Sequence, residues 1–322
     1  MRFYVKTKKN RTFTEIFLKN LYFSTDLATK IEDIALSYVQ NLGWRGVIHL
    51  LEVFGDAQSV FAASQSELLH KAELKEEFAK RILSKNSFSI AKKELSHCLK
   101  NGVTPIVSTE DGYPERLRFT EAYPHIIYMV GESSLLHRST IITFTGEKEV
   151  SAYGEKTIVK LIEQIADTAP EVVLATTIGD GAGSIIARVA LHYGLRVIGI
   201  TSSSLPHISS QNSMTLSQEI LDAGGVIISC TGVMAHKEFE NSGAHYSLAA
   251  AISDAVVVIE SEGIHPIAQA ADGYNREIFA IPGRISDSLS QGTNRMIAIG
   301  MAQMTYSGKD IIKKLGLEEI CL

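Results

Sequence analysis

The rhythm of apolar residues changes along this 322-residue chain. Between residues 31 and 100 it comes in short helical clusters: Ile34, Leu36, Val39 and Leu42, then Val47, Leu50, Leu51 and Phe54, then Val60, Phe61, Leu68 and Leu69. That spacing predicts one short helix after another and few strands. From Ser139 the pattern becomes a regular alternation. Val/Ile-rich runs at 141–144, 172–175, 197–200, 226–229, 255–259 and 278–281 alternate with helical patterns near 184–192, 216–223, 245–252, 267–274 and 294–301. Ile158, Leu161, Ile162 and Ile165 hold the i, i+3, i+4, i+7 spacing of one buried helix face. Strands apolar on both faces and separated by helices predict an α/β fold, a doubly wound parallel sheet of the Rossmann type.

Between these regions, residues 102–135 carry turn formers at Asp111, Gly112, Pro114 and Pro124 beside short β-like runs at 104–107 and 125–130. The expected division is therefore a helical amino-terminal domain over 1–100, a junction over 101–138 and the Rossmann-like domain over 139–322. In the first of these, the turn NLGW at 41–44 resembles a helix-hairpin-helix, whose glycine turn can offer backbone N–H groups to a phosphate; a plain helix C-cap is the other reading. The last helix is expected at 309–315, with no winged helix after Leu317.

Composition adds bounds. A hydrophobic content of 45% with 21% charged residues is that of a globular protein, and no apolar run approaches the length of a membrane span. A cytoplasmic protein is expected. Cys98, Cys230 and Cys321 lie far apart and lack histidines at ligand spacing, which suggests neither a disulfide framework nor zinc. A formal net charge of -5 argues against holding nucleic acid by bulk electrostatics and leaves room for a local basic groove. Positive residues gather at Arg2, Lys6, Lys8, Lys9 and Arg11, and again over 71–100, where interleaved Glu73, Glu76, Glu77 and Glu94 suggest a solvated helix face.

Four segments place Gly, Ser and Thr where a strand hands over to a helix: TGEKEVSAYG at 145–154, TTIGDGAGS at 176–184, IESEGIHP at 259–266 and IPGRISDSLSQGTN at 281–294. In doubly wound sheets that edge binds ligands. Gly146 allows a sharp turn, Ser151 suits an N-cap and Lys148 supplies charge, so the first segment reads as an anion site or as a plain capped turn. Gly179, Gly181 and Gly183 surround Asp180 without the full dinucleotide spacing, so a phosphate loop and a tight turn both remain open. Arg284 and Arg295 suit phosphate as planar forks, with Gly292, Thr293, Asn294 and Arg295 leading into a helix at 296–301. His245 opens a helix near the same edge without a titratable partner at fixed spacing. No nucleophile elbow, Walker lysine or paired metal ligands occur.

Together these segments resemble the DprA/Smf family of bacterial DNA-processing proteins, which bind single-stranded DNA and load the RecA recombinase in natural transformation. VFAASQSELL and DGYPERL are similar to the family's helical domain (helix-hairpin-helix or SAM-like) and its Tyr-Pro junction. Gly146, Ser151, Tyr153 and Gly154 fit its crest motif, LSQEILDAGG and SDAVVVIES its later elements, and FAIPGRISDSLSQGTNRMIAIG its closing motif. The site departs more than the scaffold. Glu147 and Lys148 stand where the family has serine and arginine, and a longer glycine loop follows 175–177. His245, Tyr246 and Ser247 replace an arginine-asparagine-arginine helix start, and residues 263–266 replace a glycine-serine-leucine-threonine loop. Each missing cation weakens salt-sensitive binding.

The resemblance implies a non-catalytic, cofactor-free protein that binds single-stranded DNA, protects incoming DNA, partners a RecA-type recombinase, forms a homodimer and does not associate with membranes. The expected phosphate contacts are Gly146, Lys148, Ser151, Gly179, Gly181, Gly183, Ser184, His245, Arg284, Gly292, Asn294 and Arg295. Two other readings stand beside it. One is a nucleotide-binding or nucleoside-monophosphate-hydrolysing Rossmann protein of the lysine-decarboxylase-like kind, although Arg284 follows Pro282 and Gly283 where those enzymes continue Gly-x-Gly-Thr. The other is a degenerate relative that keeps only an interaction role.

Overall fold

A computed structural model describes residues 30–121, 123–205, 211–235 and 243–317. The basic cluster at Arg2 to Arg11 and Cys321 lie outside these residues. Among the described residues six helices come first: α1 (Ile31–Ser37), α2 (Gly43–Phe54), α3 (Ala57–Ala62), α4 (Gln65–His70), α5 (Glu76–Ser84) and α6 (Ser87–Asn101). Local chemistry sets their limits. Ser64 and Glu67 form a reciprocal capping box at the start of α4, and Gly102, in the left-handed region, ends α6.

The chain then lays down β1 (Thr104–Val107), α7 (Glu115–Arg118), β2 (Ile126–Gly131), β3 (Ile141–Thr145), α8 (Ala152–Thr168), β4 (Val173–Thr177), α9 (Ala182–His192) and β5 (Arg196–Ile200). After these come α10 (Gln211–Asp222), β6 (Val226–Ser229), α11 (Ala244–Ala251), β7 (Ala255–Val258), α12 (Pro266–Gly273), β8 (Glu277–Ala280), α13 (Ser288–Ala298), β9 (Gln303–Met304) and α14 (Gly308–Lys314). The nine strands of the described residues form one sheet in the order β1-β2-β6-β5-β4-β3-β7-β8-β9, parallel from β6 to β9. This is the doubly wound α/β fold expected from the alternation, with the helical region before it.

The segment expected as a junction does more than connect. β2 pairs antiparallel with β6, Tyr128 opposite Ser229, and β1 pairs with β2. Residues 104–131 therefore extend the sheet past its parallel edge. Two apolar clusters fill its faces. One joins Ile34, Leu50, Val60 and Cys98 of the helical region to Phe144, Ile158, Ile186 and Leu216; the other holds Ile127, Val256, Leu248 and Met296. Burial of this kind is the main driving force for the fold, at roughly 25 cal/mol per Å² of apolar area.

Polar pins cross between the regions. Lys30, 6% exposed, donates to the Pro105 carbonyl and pairs with Glu110 at 2.7 Å. Buried His125 joins Asp33 of α1 (2.9 Å) to Ser108 after β1 (2.7 Å). Glu94 is not on the solvated face its sequence neighbourhood suggests. It is 1% exposed and accepts from Tyr38 Oη and from the backbone N–H groups of Val233 and Met234, just past β6.

At the other end of the strands, Asp254 Oδ2 accepts from the Ile141 N–H at 2.8 Å and from Arg116 at 2.9 Å, while Arg116 also donates to the Ile252 and Arg138 carbonyls. Asp254→Ala strips an acceptor from the first residue of β3 and leaves a part-buried guanidinium unpaired. The expected loss is about 1–3 kcal/mol, read as a lower urea midpoint at unchanged m-value, with Asp254→Asn losing less because it keeps an acceptor oxygen.

Candidate nucleic-acid interface

The strand order reverses at β3: β4, β5 and β6 lie to one side of it and β7, β8 and β9 to the other. Ligands of open α/β sheets bind in the crevice at such a switch point. Here the crevice lies between the loop 146–150 and residues 259–262, and Glu260, 3% exposed, fills it. Its carboxylate accepts from the Ser151 N–H at 2.9 Å and from the Ser151 hydroxyl at 2.5 Å, and that hydroxyl accepts from the Gly154 N–H at 3.1 Å. Ser151 caps α8 as expected. The anion at the start of this 17-residue helix, where the peptide dipoles favour negative charge, is the chain's own side chain. A Cβ on Gly154 would overlap that carboxylate, so glycine is what lets it come so close.

Glu147 also turns inward. Its carboxylate accepts from Ser261 Oγ at 2.9 Å and from the Glu262 N–H at 3.3 Å, and its carbonyl accepts from the Ala182 N–H, the first of α9. Gly181, at φ +91°, holds the opposite side of this junction, with the Lys148 backbone lying where a Cβ would project. Gly146 approaches the Ala182 methyl, Gly183 packs α9 on the Thr177 carbonyl, and Ser184 donates back to the Gly181 carbonyl at 3.0 Å. Of the glycines expected to meet phosphate, Gly179 has open space around it.

His265 caps α12. Its Nδ1 accepts from the Ile267 N–H at 3.2 Å, which leaves the proton on Nε2, 3.2 Å from Thr145 Oγ1. Burial pushes this imidazole down to about 4, opposed by the nearby charge of Glu147 and the backbone of Gly146. His245, half-buried at the start of α11, stacks on Tyr246 with ring centroids 3.9 Å apart; burial lowers its pKa as well, and its Nδ1 has no hydrogen-bond partner among the described residues.

The closing segment is built differently from its sequence reading. α13 begins at Ser288, so Gly292, Thr293 and Asn294 lie inside it and Arg295 in its last turn, rather than leading into a helix at 296. Gly292 is a close-approach residue, not a break: its N–H donates to the Ser261 carbonyl at 2.7 Å and the Gly263 carbonyl stands where a Cβ would be. The Asn294 amide is engaged with both backbone groups of Gly283, at 3.1 and 3.0 Å, and Tyr153 Oη donates to the Pro282 carbonyl at 2.8 Å.

Outward charge is therefore sparse. Lys148, Arg284 and Arg295 are exposed and form no ion pair among the described residues, while Glu149, Asp180 and Glu262 are exposed on the same loops. The crest carries both signs. Glu260, which organises it, was not among the expected site residues; its signal was an acid following the apolar run 255–259, across the switch point from the cap Ser151.

The family model described as DNA recombination-mediator protein A matches residues 104–316, more than half of the chain. The chain belongs to this family. Its match begins at β1, so the antiparallel pair belongs to the family's region. Protein Smf of Escherichia coli K12 is 25% identical over 203 residues, covering 62% of this chain and 54% of Smf, so the match spans about half of that relative's length. DprA of Bacillus subtilis 168 is 22% identical over 219 residues, 67% of this chain and 72% of the relative. The X-ray structure of DprA from Streptococcus pneumoniae shares the fold with a TM-score of 0.74 at 20% identity, over 88% of this chain and 97% of that one. DprA from Helicobacter pylori, whose structure is described for its single-stranded DNA binding mode, gives a TM-score of 0.56 at 24% identity, over 66% and 95%.

The neutral, buried state of His265 makes the crest pH-sensitive. Its folded pKa lies below its ordinary value, so the unfolded chain binds the proton first as pH falls. The stability this residue contributes is complete above about pH 7 and is lost as pH falls from about 6.5 toward 4. His265→Asn keeps a cap acceptor for Ile267 and removes the titration. Between pH 7.5 and 5, urea unfolding is expected to show about 2 kcal/mol more loss in the unsubstituted protein than in this variant.

Proposed function

We propose that this chain binds single-stranded DNA across its crest, without catalysis, and acts as a homodimeric mediator that protects the strand and delivers it to a RecA-type recombinase. The observation carrying this reading is the carboxylate of Glu260 in the switch-point crevice. A nucleotide phosphate entering there would meet a buried negative charge on the donors it needs. A ligand lying over the rim meets Lys148 and Arg284 instead, both exposed and unpaired among the described residues. A polymer that touches several sparse cations in turn suits such a rim. The recombinase partner and the dimer are part of this proposal, and the family's description as a DNA recombination mediator supports the mediator role.

The nucleotide-hydrolysing alternative would require Glu260 to leave. Mononucleotides are accordingly expected to leave the melting temperature unmoved; a rise with mononucleotide and no response to oligonucleotide would favour that alternative. The direct test is fluorescence anisotropy of labelled poly-dT across a salt series, with duplex as competitor. Saturable, salt-sensitive binding that prefers the single strand is expected. Lys148→Glu with Arg284→Glu should weaken it about tenfold or more and lower the salt slope by about 1.4, from about 0.7 for each single-strand phosphate that is no longer neutralised. Unchanged affinity and slope in that double variant would remove the crest assignment.

A further inference from the structure

A rim of mixed charge holds few phosphates, and a further group of described cations without partners lies on the helical region. Along α6, Lys92, Lys93 and Lys100 are exposed, with Lys85 just before the helix, and none of the four forms an ion pair or side-chain hydrogen bond among the described residues. The neighbouring helix differs. On α5, Lys80 pairs with Glu76 at 2.7 Å and Arg81 with Glu77 at 3.3 Å, so its outer face is self-neutralised.

The difference comes from Glu94, the only carboxylate of α6. It points to the buried side, where Tyr38 and the N–H groups of Val233 and Met234 hold it. With 3.6 residues per turn, Lys93 and Lys100 fall on one stripe with exposed Ser89 and Ser96, and Lys92 lies beside it. Lys93 and Lys100 are thus about 10 Å apart along the axis. Taking the acid inside leaves a stripe of one sign.

Topology places this stripe at the crest. The bonds from Glu94 reach the backbone just past β6, at the same carboxyl edge of the sheet as the Lys148 loop. β6 is three strands from β3, about 15 Å at the usual strand spacing. β1 begins at Thr104 opposite Met129, which pairs with Ile228, one residue before the end of β6, so α6 hands over to the sheet at this same carboxyl edge.

We propose that the outer face of α6 is a second phosphate-binding track, carrying single-stranded DNA away from the crest over the helical region. The proposal rests on the reading that the crest binds single strands. It assigns Lys92, Lys93 and Lys100 as backbone contacts that add affinity and length dependence without sequence preference.

The test compares labelled poly-dT of about 8 and about 30 nucleotides, within and beyond the reach of a single groove. The triple variant Lys92→Glu, Lys93→Glu, Lys100→Glu alters exposed side chains only, and an unchanged melting temperature verifies its fold. Affinity for the long strand is expected to fall about tenfold or more, with a salt slope reduced by about 2 for the three lysines together, while the short strand binds as before. Unchanged long-strand affinity, with the Lys148 and Arg284 variant still impaired at both lengths, would overturn the track and leave the crest reading standing; the stripe would then suit an acidic protein surface. Equal loss at both lengths would overturn it as an extension. Binding of neither length by the unsubstituted protein would overturn both readings.

Discussion

Everything at the functional edge depends on one short hydrogen-bonded arrangement, the carboxylate of Glu260 against the first turn of α8. Ser151 donates twice and Gly154 clears the space. A buried carboxylate is costly unless its oxygens find donors, and here the backbone and the cap hydroxyl supply them. The consequence spreads through adjacent loops. Glu147 ties its own loop to Ser261 and Glu262, the Ser261 backbone exchanges bonds with Leu289 and Gly292, and Tyr153 and Asn294 fix Pro282 and Gly283. The loops that a ligand would cross form one cross-braced ridge.

The same device recurs farther along the same edge of the sheet, just past β6. Glu94 brings a negative charge into the interior and satisfies it with two consecutive backbone N–H groups and a tyrosine hydroxyl. The buried carboxylate raises the pKa of Tyr38, already raised mainly by burial, so the hydroxyl stays a donor. Both glutamates lie close to the carboxyl ends of parallel strands, and both withdraw negative charge from the surface. What remains outside is therefore more positive, locally, than the residue counts suggest. A net charge of -5 for the whole chain says little about α6.

Much of the sheet could be read from the residues alone, because strands buried on both faces write near-continuous Val/Ile runs. The segments 104–107 and 226–229 match their strands, the other expected runs shift by a residue or two, and the two-residue β9 was not foreseen. The helix start at Ser288 was hidden by Gly292, which composition marks as a break and the structure uses as a packing surface. The role of 104–131 in extending the sheet was hidden for another reason: the β-like runs are visible, but their partner β6 is remote in sequence and nothing local specifies the pairing. In the crest, caps and tight turns were legible at Ser151 and Gly181. The inward turn of Glu147 and Glu260 was not, since a carboxylate reads as exposed until its donors are placed.

The pairing of β2 with β6 also orders events in time. As the chain is made, β1 and β2 emerge with their partner edge bare, and the strand that covers it, Val226–Ser229, arrives only after three parallel strands and their helices have been added. Non-local pairing of this kind bears the loop-closure entropy before any favourable interaction offsets it. The helical region is caught in the same wait, because Glu94 needs the backbone of Val233 and Met234. The amino-terminal third therefore completes its packing late, set by a segment far downstream, and the nascent protein carries an open strand edge until Val226–Ser229 has been made.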